Sequence, residues 1–299
     1  MNIDFLNREY GIPKQVIFGD RQPGFPLISI NNAHATAEIS LYGGQVLSFR
    51  PREAKADLLF LSDRSVYQTG KAIRGGIPIC WPWFGADPAG RGRANHGFGR
   101  DRLWTVRETT TLANGATRVI LGLRDDEITR TIWDYRFDLA IAITVSKTLD
   151  ITLTTQNRDQ KPFTFTQALH TYFTVGDSRR VKVLGLAGLD YIDKVDQEKL
   201  KQQIGEVAIA GEVDRIYQNT PPQLLIDDPS LERRIEIRSH NSATTIVWNP
   251  GAEKTATMQD LSPDAYRGFL CVETANAGAE TITLAADTSH TLGVSYRLL

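Results

Sequence analysis

Apolar and polar residues alternate along much of this chain with a period of two, and this period constrains the fold more than any other feature. In residues 138–146, every second position holds a large aliphatic side chain. Residues 151–157 repeat the pattern after the turn-like sequence KTLD. Two alternating runs joined by a short polar turn predict a β-hairpin with one buried face.

Strands are predicted along the rest of the chain as well. Further short candidates lie at 37–51, 57–62, 116–124, 163–170, 244–249, 268–274, 281–286 and the C-terminus. The best helical candidate, residues 196–204, is only two turns long, and no Gly-, Ser- or Pro-rich linker divides the chain. We therefore predict an all-β fold, a single domain of residues 1–299 built as a large β-sandwich with few short helices.

Composition narrows the class of protein. The formal net charge is -1, from 34 Lys and Arg against 35 Asp and Glu, which excludes a broad basic face for nucleic acid. No stretch approaches a membrane span, and the N-terminus lacks the apolar core of a signal peptide. Two cysteines, Cys80 and Cys271, are too few for a disulfide scaffold, so buried reduced thiols are expected. We expect a cytoplasmic, soluble monomer that binds neither membrane nor nucleic acid.

The motifs of several common chemistries are missing. The chain has no phosphate-binding P-loop, no dinucleotide fingerprint, no nucleophile elbow and no Cys-x-x-Cys pair. Its five histidines are widely scattered, so a metal site would have to be assembled from distant strands. The sequence predicts acid–base chemistry on a small polar ligand, with no cofactor and no catalytic metal.

The segment 74–102 differs from the strands around it. It holds five arginines, seven glycines, Trp81, Trp83 and His96 in a run too irregular for a helix or a long strand. Paired arginines match the oxygens of phosphate or carboxylate, and glycine lets the backbone approach a ligand closely. The segment is therefore a candidate anion site. The alternative is an irregular surface loop whose two tryptophans lie in the core.

Two strands carry candidate acid–base groups. In residues 163–170 one face is small and polar and ends in His170, which is typical of a ligand cleft; a structurally bonded histidine is the alternative. In residues 268–274, Glu273 shares a face with Phe269 and Cys271. Burial there would raise the pKa of Glu273 toward that of a general base, whereas a solvated strand end would leave it ordinary. Asp214 lies among apolar residues and is a weaker candidate of the same kind.

Several segments taken in order resemble a known family. RGGIPICWPWFG, NHGFGRD, ALHTYFTVGD, VDRIY, WNPG and FLCVET are similar to segments of the hexose-6-phosphate mutarotases, the glucose-6-phosphate 1-epimerases of the aldose 1-epimerase group. The similarity runs from the strand at Gly43 to Glu273. It implies a galactose-mutarotase-like β-supersandwich that interconverts the α and β anomers of a hexose 6-phosphate, chiefly glucose 6-phosphate.

The resemblance also implies roles for individual residues. Catalysis falls on His170 and Glu273. Substrate binding falls on Arg74, Asn95, Arg100 and Asp214 by position, with His96 and Asp214 orienting hydroxyls and the two arginines holding the phosphate. Trp81 or Trp83 would stack on the sugar unless it belongs to the core. The roles of Arg91 and Arg93 stay open.

Residue chemistry and resemblance agree on one mechanism. His170 would donate a proton to the ring oxygen O5 while Glu273 removes the proton of the C1 hydroxyl, and the roles reverse on closure. Two alternatives remain: an epimerase for unphosphorylated aldoses, and a sugar-phosphate- or glycan-binding protein on the same scaffold without activity. A nucleic-acid- or protein-binding β-domain fits the balanced charge poorly.

Overall fold

Antiparallel strands form most of the structure, a computed structural model that describes residues 2–299. Numbered in chain order, the strands are β1 (Val16–Gln22), β2 (Phe25–Asn31), β3 (Ala35–Ser40), β4 (Gln45–Pro51), β5 (Ile79–Cys80), β6 (Thr105–Thr111), β7 (Thr117–Arg124), β8 (Phe137–Val145), β9 (Thr148–Asn157), β10 (Phe163–Phe165), β11 (Gln167–Leu169), β12 (Tyr172–Thr174), β13 (Lys182–Leu184), β14 (Asp190–Asp193), β15 (Lys199–Gln202), β16 (Val207–Ala208), β17 (Val213–Gln218), β18 (Gln223–Asp228), β19 (Arg233–His240), β20 (Thr244–Asn249), β21 (Phe269–Asn276), β22 (Ile282–Leu284) and β23 (Ser289–Leu298). The α-helices are α1 (Ile3–Tyr10), α2 (Glu127–Ile132) and α3 (Gly251–Thr257).

Two large sheets carry the architecture. One has nine strands in the order β16-β13-β18-β19-β23-β9-β8-β7-β6. The other has eight, in the order β15-β14-β17-β20-β21-β11-β5 with β12 also paired to β21. Smaller sheets are formed by β1 to β4 and by β10 with β22. The predicted all-β sandwich with few short helices is confirmed.

The predicted hairpin lies inside the nine-stranded sheet, between β23 and β7. Along β8 buried residues alternate strictly with half-buried ones, and β8 pairs with β9 from Phe137 opposite Asn157 to Val145 opposite Leu149. The alternating aliphatic side chains form one face, which packs into the main core. A shift of one residue would turn that whole face to water, so the pattern fixes the register.

The helix predicted at residues 196–204 is wrong. This segment is a turn followed by β15, which pairs with β14 at the edge of the eight-stranded sheet. Gln197 and Glu198 have positive φ values of 54° and 60°, which interrupt helical geometry and turn the chain back. Helix propensity was overridden here by the pairing of two strands.

Strand β21 explains how the sandwich presents a site. All eight of its residues are buried. Leu270 and Val272 belong to the core shared with the nine-stranded sheet, and the hydroxyl of Thr274 lies 2.7 Å from that of Ser239 on β19. Phe269 and Cys271 point to the opposite face, into a second apolar cluster. Glu273 is on that opposite face, as the alternation predicts.

Both cysteines are buried free thiols, as expected. In the described part of the chain, no helix has the length and apolar character needed to cross a membrane.

Candidate active site

A cavity of about 800 Å³ lies on this second face of the eight-stranded sheet. It brings together seven of the eight predicted site residues: Arg74, Asn95, His96, Arg100, His170, Asp214 and Glu273. Its wall is completed by Val66, Gln68, Lys71, Ala72, Phe84, Ile246, Trp248, Lys254, Met258, Gln259 and Asp260. These residues come from sequence positions almost 210 apart, so the cavity exists only in the folded chain.

The register of β17, β20 and β21 determines which of their side chains point into the cavity. Asp214 on β17 lies opposite Trp248 on β20, and Trp248 lies opposite Cys271 on β21. Two positions along β21, Glu273 lies opposite Ile246. Residues directly opposite each other in an antiparallel pair share a face. The register of β20 with β21 therefore points the Glu273 carboxylate and the Trp248 indole into the same cavity.

Two glycines let the segment 74–102 pack closely against main chain, one against β4 and the other against Trp81 of the same segment. A Cβ at Gly76 would lie 2.2 Å from the carbonyl oxygen of Val46, and one at Gly97 would lie 2.1 Å from that of Trp81. Both glycines also have positive φ, 60° and 68°. Only glycine permits such contact in that conformation, and this close approach fixes the positions of the neighbouring Arg74 and His96.

His96 itself adopts a left-handed conformation, with φ of 67°. Its backbone N–H donates to the carbonyl of Gly85 at 2.7 Å, and its Nδ1 lies 3.2 Å from the Gly85 N–H. Positive φ at a non-glycine residue costs free energy and is common at functional sites. These hydrogen bonds hold the imidazole against the cavity in spite of that cost.

His170 and Glu273 meet at the base of the cavity. Their Nδ1 and Oε1 atoms are 3.3 Å apart, and the side chains are 9% and 1% exposed. His170 stacks on Tyr172 with ring centres 4.9 Å apart and an angle of 10°, and Trp248 meets it edge-on at 5.8 Å. Nδ1 of His170 and Oε2 of Glu273 are buried without a hydrogen-bond partner among the described residues.

Burial favours the uncharged form of both groups. Desolvation lowers the pKa of His170 well below its ordinary value, and the positive charges of Arg100 and Arg74 act in the same direction. Desolvation raises the pKa of Glu273 well above its ordinary value, and Asp214 adds to the shift.

Burial also shifts the pKa values of two neighbouring groups, His96 and Asp214. Desolvation, with Arg100 and Arg74, lowers the pKa of His96 to about 3, so this imidazole is neutral. Desolvation raises the pKa of Asp214, although Lys254 and Lys194 oppose the shift. A neutral imidazole can accept and donate hydrogen bonds and a carboxylate can accept them, as recognition of sugar hydroxyls requires.

The two predicted arginines have different surroundings. Arg74 donates from Nε to Asp260 Oδ2 and from Nη1 to the Tyr172 hydroxyl, both at 2.9 Å. Arg100 donates to the main-chain oxygen of Asn95 at 2.9 Å, and no described carboxylate pairs with it. The charge of Arg74 is therefore compensated inside the protein, whereas that of Arg100 is not.

Comparison with known proteins gives this cavity a context. The model of the aldose 1-epimerase family matches residues 26–297. The chain belongs to the aldose 1-epimerase family. An isomerase of this group was predicted from the sequence, and that prediction is confirmed.

Relatives in this family are similar over most of their length. A protein of Salmonella typhimurium provisionally named glucose-6-phosphate 1-epimerase is 37% identical over 254 residues, which cover 85% of this chain and 84% of that one. One of Escherichia coli with the same provisional name is 35% identical, with 91% and 90% covered. The crystal structure of a provisionally named mutarotase from Salmonella typhimurium has a TM-score of 0.90 at 31% identity, with 97% and 95% covered.

Trp81 is the predicted site residue that the fold does not bring to the cavity. Its side chain is fully buried in the main core, and its indole N–H donates to Thr155 Oγ1 at 3.1 Å. Trp83 is also in the core, with Arg93 over its ring at 4.3 Å. The core alternative left open by the sequence therefore holds for both tryptophans.

Sequence reasoning missed several residues that line the site. Trp248 provides the aromatic wall that Trp81 was expected to provide, and its place opposite Cys271 follows from the pairing of β20 with β21, which the sequence does not show. Asp260, the partner of Arg74, follows a helix and carries no local signal. The exposed Lys71 lies three residues before Arg74 and lines the same cavity.

The arginines of the glycine-rich loop lie elsewhere. Arg93 is bound by Asp87 and by the carbonyl oxygen of Ile132, which gives it a structural role in the loop. Arg91 is exposed and lines a separate cavity of about 490 Å³.

Proposed function

We propose that this protein interconverts the α and β anomers of hexose 6-phosphates, chiefly glucose 6-phosphate, by opening and closing the sugar ring. One observation carries the proposal: a buried His–Glu pair and cations without carboxylate partners line the same cavity. The pair can move protons, and the cations can bind a dianion. The provisional names of the relatives support the same substrate.

The His170–Glu273 pair accounts for ring opening. His170, as imidazolium, gives a proton to O5 while Glu273, as carboxylate, takes the C1 hydroxyl proton. The C1–O5 bond breaks, its electrons remain on O5, and the electrons of the O–H bond form the carbonyl. Rotation about C1–C2 and the reverse transfers then close the ring on the other carbonyl face.

Burial favours the product side of this step. Opening converts the imidazolium–carboxylate pair into neutral imidazole and carboxylic acid, the form that desolvation favours for both groups. Burial therefore drives the two proton transfers once the imidazolium–carboxylate form has bound the sugar, and it opposes the formation of that charged form.

The remaining lining residues position the sugar. His96 and Asp214 flank the pair and can hydrogen-bond to hydroxyl groups. The indole of Trp248 offers an apolar face to the ring. These are binding roles: His96 meets the His170 ring edge-on with ring centres 5.7 Å apart, at a contact that transfers no proton.

Four cations line the cavity, and they differ in how far they are available to a phosphate. Arg74 is paired with Asp260, and Lys254 donates to Glu212 at 2.6 Å. Lys71 and Arg100 have no carboxylate partner within 4 Å among residues 2–299. The phosphate is therefore assigned to Arg100 and Lys71, and Arg74 becomes a support for the site rather than its main anion ligand.

The decisive experiment follows freshly dissolved α-glucose 6-phosphate with a dehydrogenase specific for the β anomer. Glucose and galactose run in parallel, each with and without a chelator. We expect acceleration for the phosphorylated sugar and indifference to the chelator. Equal acceleration of free sugars would indicate a general aldose epimerase, and no acceleration of any sugar would indicate a binding protein.

We also propose that the protein acts as a monomer in the cytoplasm, without nucleic acid, cofactor or catalytic metal. The balanced charge and the two free thiols support this proposal. Size-exclusion chromatography with light scattering tests the monomer, since a dimer doubles the measured mass.

A further inference from the structure

A third group lies beside the His170–Glu273 pair and has no part in the proposed mechanism. The side chain of Cys271 is two positions before Glu273 on the same face of β21 and is fully buried. Ligand atoms of His170, Cys271 and Glu273 all lie within 4.8 Å of one another. An imidazole, a thiol and a carboxylate are the three ligand types that Zn²⁺ uses in proteins.

The spacing of these atoms suits a tetrahedral cation. Zn–N and Zn–O bonds near 2.1 Å at a tetrahedral angle separate nitrogen and oxygen by about 3.4 Å. Nδ1 of His170 and Oε1 of Glu273 are 3.3 Å apart. The corresponding N···S separation is about 3.6 Å, so Sγ of Cys271 reaches the same cation after a shift of no more than about 1.2 Å.

Two polar atoms of this cluster, Nδ1 of His170 and Oε2 of Glu273, are buried and have no hydrogen-bond partner among residues 2–299. A buried polar atom without a partner costs roughly 1–3 kcal/mol, and such atoms usually have a ligand or water as partner.

We propose that the protein binds a soft divalent cation, Zn²⁺ or Cd²⁺, through His170, Cys271 and Glu273, and that this cation inhibits the enzyme. A thiolate, a carboxylate and a neutral imidazole balance the two positive charges, so the complex is neutral in its buried setting. Zn²⁺ displaces the thiol and carboxyl protons to the solvent as it binds. It occupies the imidazole lone pair and a carboxylate oxygen, so neither group can transfer a proton to or from a sugar.

Binding is tested first without any sugar. The whole chain, freed of any histidine tag, is titrated with Cd²⁺ while the ultraviolet thiolate-to-cadmium charge-transfer band is recorded. We expect one cation per chain, and a loss of affinity of at least about tenfold in Cys271→Ser and Cys271→Ala. Cys80→Ser is the matched control, because Cys80 is also a fully buried thiol but is outside the three-residue cluster. Thermal melting verifies that each variant is folded.

Two results overturn the site. One is the absence of a charge-transfer band in the wild-type chain. The other is a Cys271→Ser or Cys271→Ala variant that is folded and still titrates like the wild type. This arm does not rest on the proposed function, because it needs no turnover.

Inhibition is tested second, and this arm does rest on the proposed function. Zn²⁺ should slow anomerisation of glucose 6-phosphate, a chelator should restore the rate, and rising substrate should weaken the inhibition. Cys271→Ser should need at least about tenfold more Zn²⁺ than Cys80→Ser for the same inhibition. Equal sensitivity of the two variants would show that Zn²⁺ acts elsewhere and would overturn the inhibitory role. A protein with no mutarotase activity would defeat the proposed function and leave the cadmium result standing.

Discussion

The cavity has a floor, formed by His170 and Glu273, and a rim, formed by Lys71 and Arg100, and the two differ in how the protein treats charge. On the floor, burial disfavours charge, since it lowers the pKa of the histidine and raises that of the glutamate. On the rim, two cations remain without a carboxylate partner among residues 2–299. Buried ionisable groups suit proton transfer, and uncompensated cations nearer to solvent suit the capture of an anion.

Arg74 lies between these two regions and belongs fully to neither. Its side chain is 25% exposed, and Asp260 neutralises its charge. Burial acts to lower the pKa of Arg74, but Tyr172 and Asp260 outweigh burial and raise it. Through Tyr172, whose ring stacks on His170, Arg74 is linked to the floor. The comparison therefore predicts effects on turnover for the floor, on substrate binding for the rim, and on both turnover and stability for Arg74.

The largest effect is expected from the floor. Glu273→Gln keeps the shape of the side chain but cannot accept the C1 hydroxyl proton, so kcat should fall by about 10²–10⁴ with little change in KM. Glu236→Gln is the matched control, since Glu236 is also buried, pairs with Arg238 and does not line the cavity. Turnover of Glu273→Gln at the wild-type rate would remove Glu273 from the mechanism.

Removing the uncompensated arginine should act on binding. Arg100→Ala is expected to raise KM for glucose 6-phosphate by about 10–100-fold, because a charge-assisted hydrogen bond contributes about 1.5–3 kcal/mol. The kcat should change by less than about threefold. Arg91→Ala, in the same segment but outside the cavity, should have no effect on either constant. A fall in kcat with constant KM would assign Arg100 to the floor instead.

The fold could be predicted from the sequence further than the site could. Alternation in β8 and β21 is a local signal, because a buried face repeats every second residue, and it placed Leu139 and Glu273 on their observed faces. Seven of the eight predicted site residues share one cavity, and resemblance to a family named six of those seven by position. The chemistry of single residues could not have shown that positions almost 200 residues apart in the sequence line the same cavity.

What the sequence could not provide was the partner of each charge. Arg74 and Arg100 look equivalent as sequence, and only the folded chain brings Asp260 to one of them. Trp81 and Trp248 both have the chemistry of a sugar platform, but burial decides between them, and burial depends on contacts with distant strands such as that of Thr155. Long-range pairing of this kind leaves no local pattern.

Arg74→Ala tests whether the intermediate region behaves as a support. The substitution leaves the Asp260 carboxylate and the Tyr172 hydroxyl without their partner. We expect a loss of about 1–3 kcal/mol in the free energy of unfolding, reduced by the partial exposure of the ion pair, and a roughly tenfold fall in kcat. Urea denaturation and steady-state kinetics measure the two effects. A rise in KM with unchanged stability and kcat would make Arg74 a phosphate ligand like Arg100.

Stability against pH tests whether the floor is uncharged. The pKa of Glu273 is raised on folding, so the folded chain keeps a proton that the unfolded chain loses above about pH 4.5. The contribution of Glu273 to stability is complete below that pH and is lost as pH rises toward its folded pKa. Glu273→Gln has no such loss, so its stability relative to wild type should rise by up to about 1.4 kcal/mol per pH unit in that window. Parallel unfolding curves at every pH would show that Glu273 is ionised in the folded chain.

The smallest effect is expected from Lys71, whose exposed position distinguishes it from Arg100 within the rim. Water and salt screen an exposed charge, so Lys71→Ala should raise KM for glucose 6-phosphate by only about two- to fivefold. The difference from wild type should shrink as salt rises from about 0.01 to 0.5 M, because the Debye length falls well below 10 Å over that range. Lys14→Ala, an exposed lysine outside the cavity, is the control. A large effect that resists salt would mean that Lys71 contacts the phosphate directly in a water-poor site, as Arg100 is proposed to do.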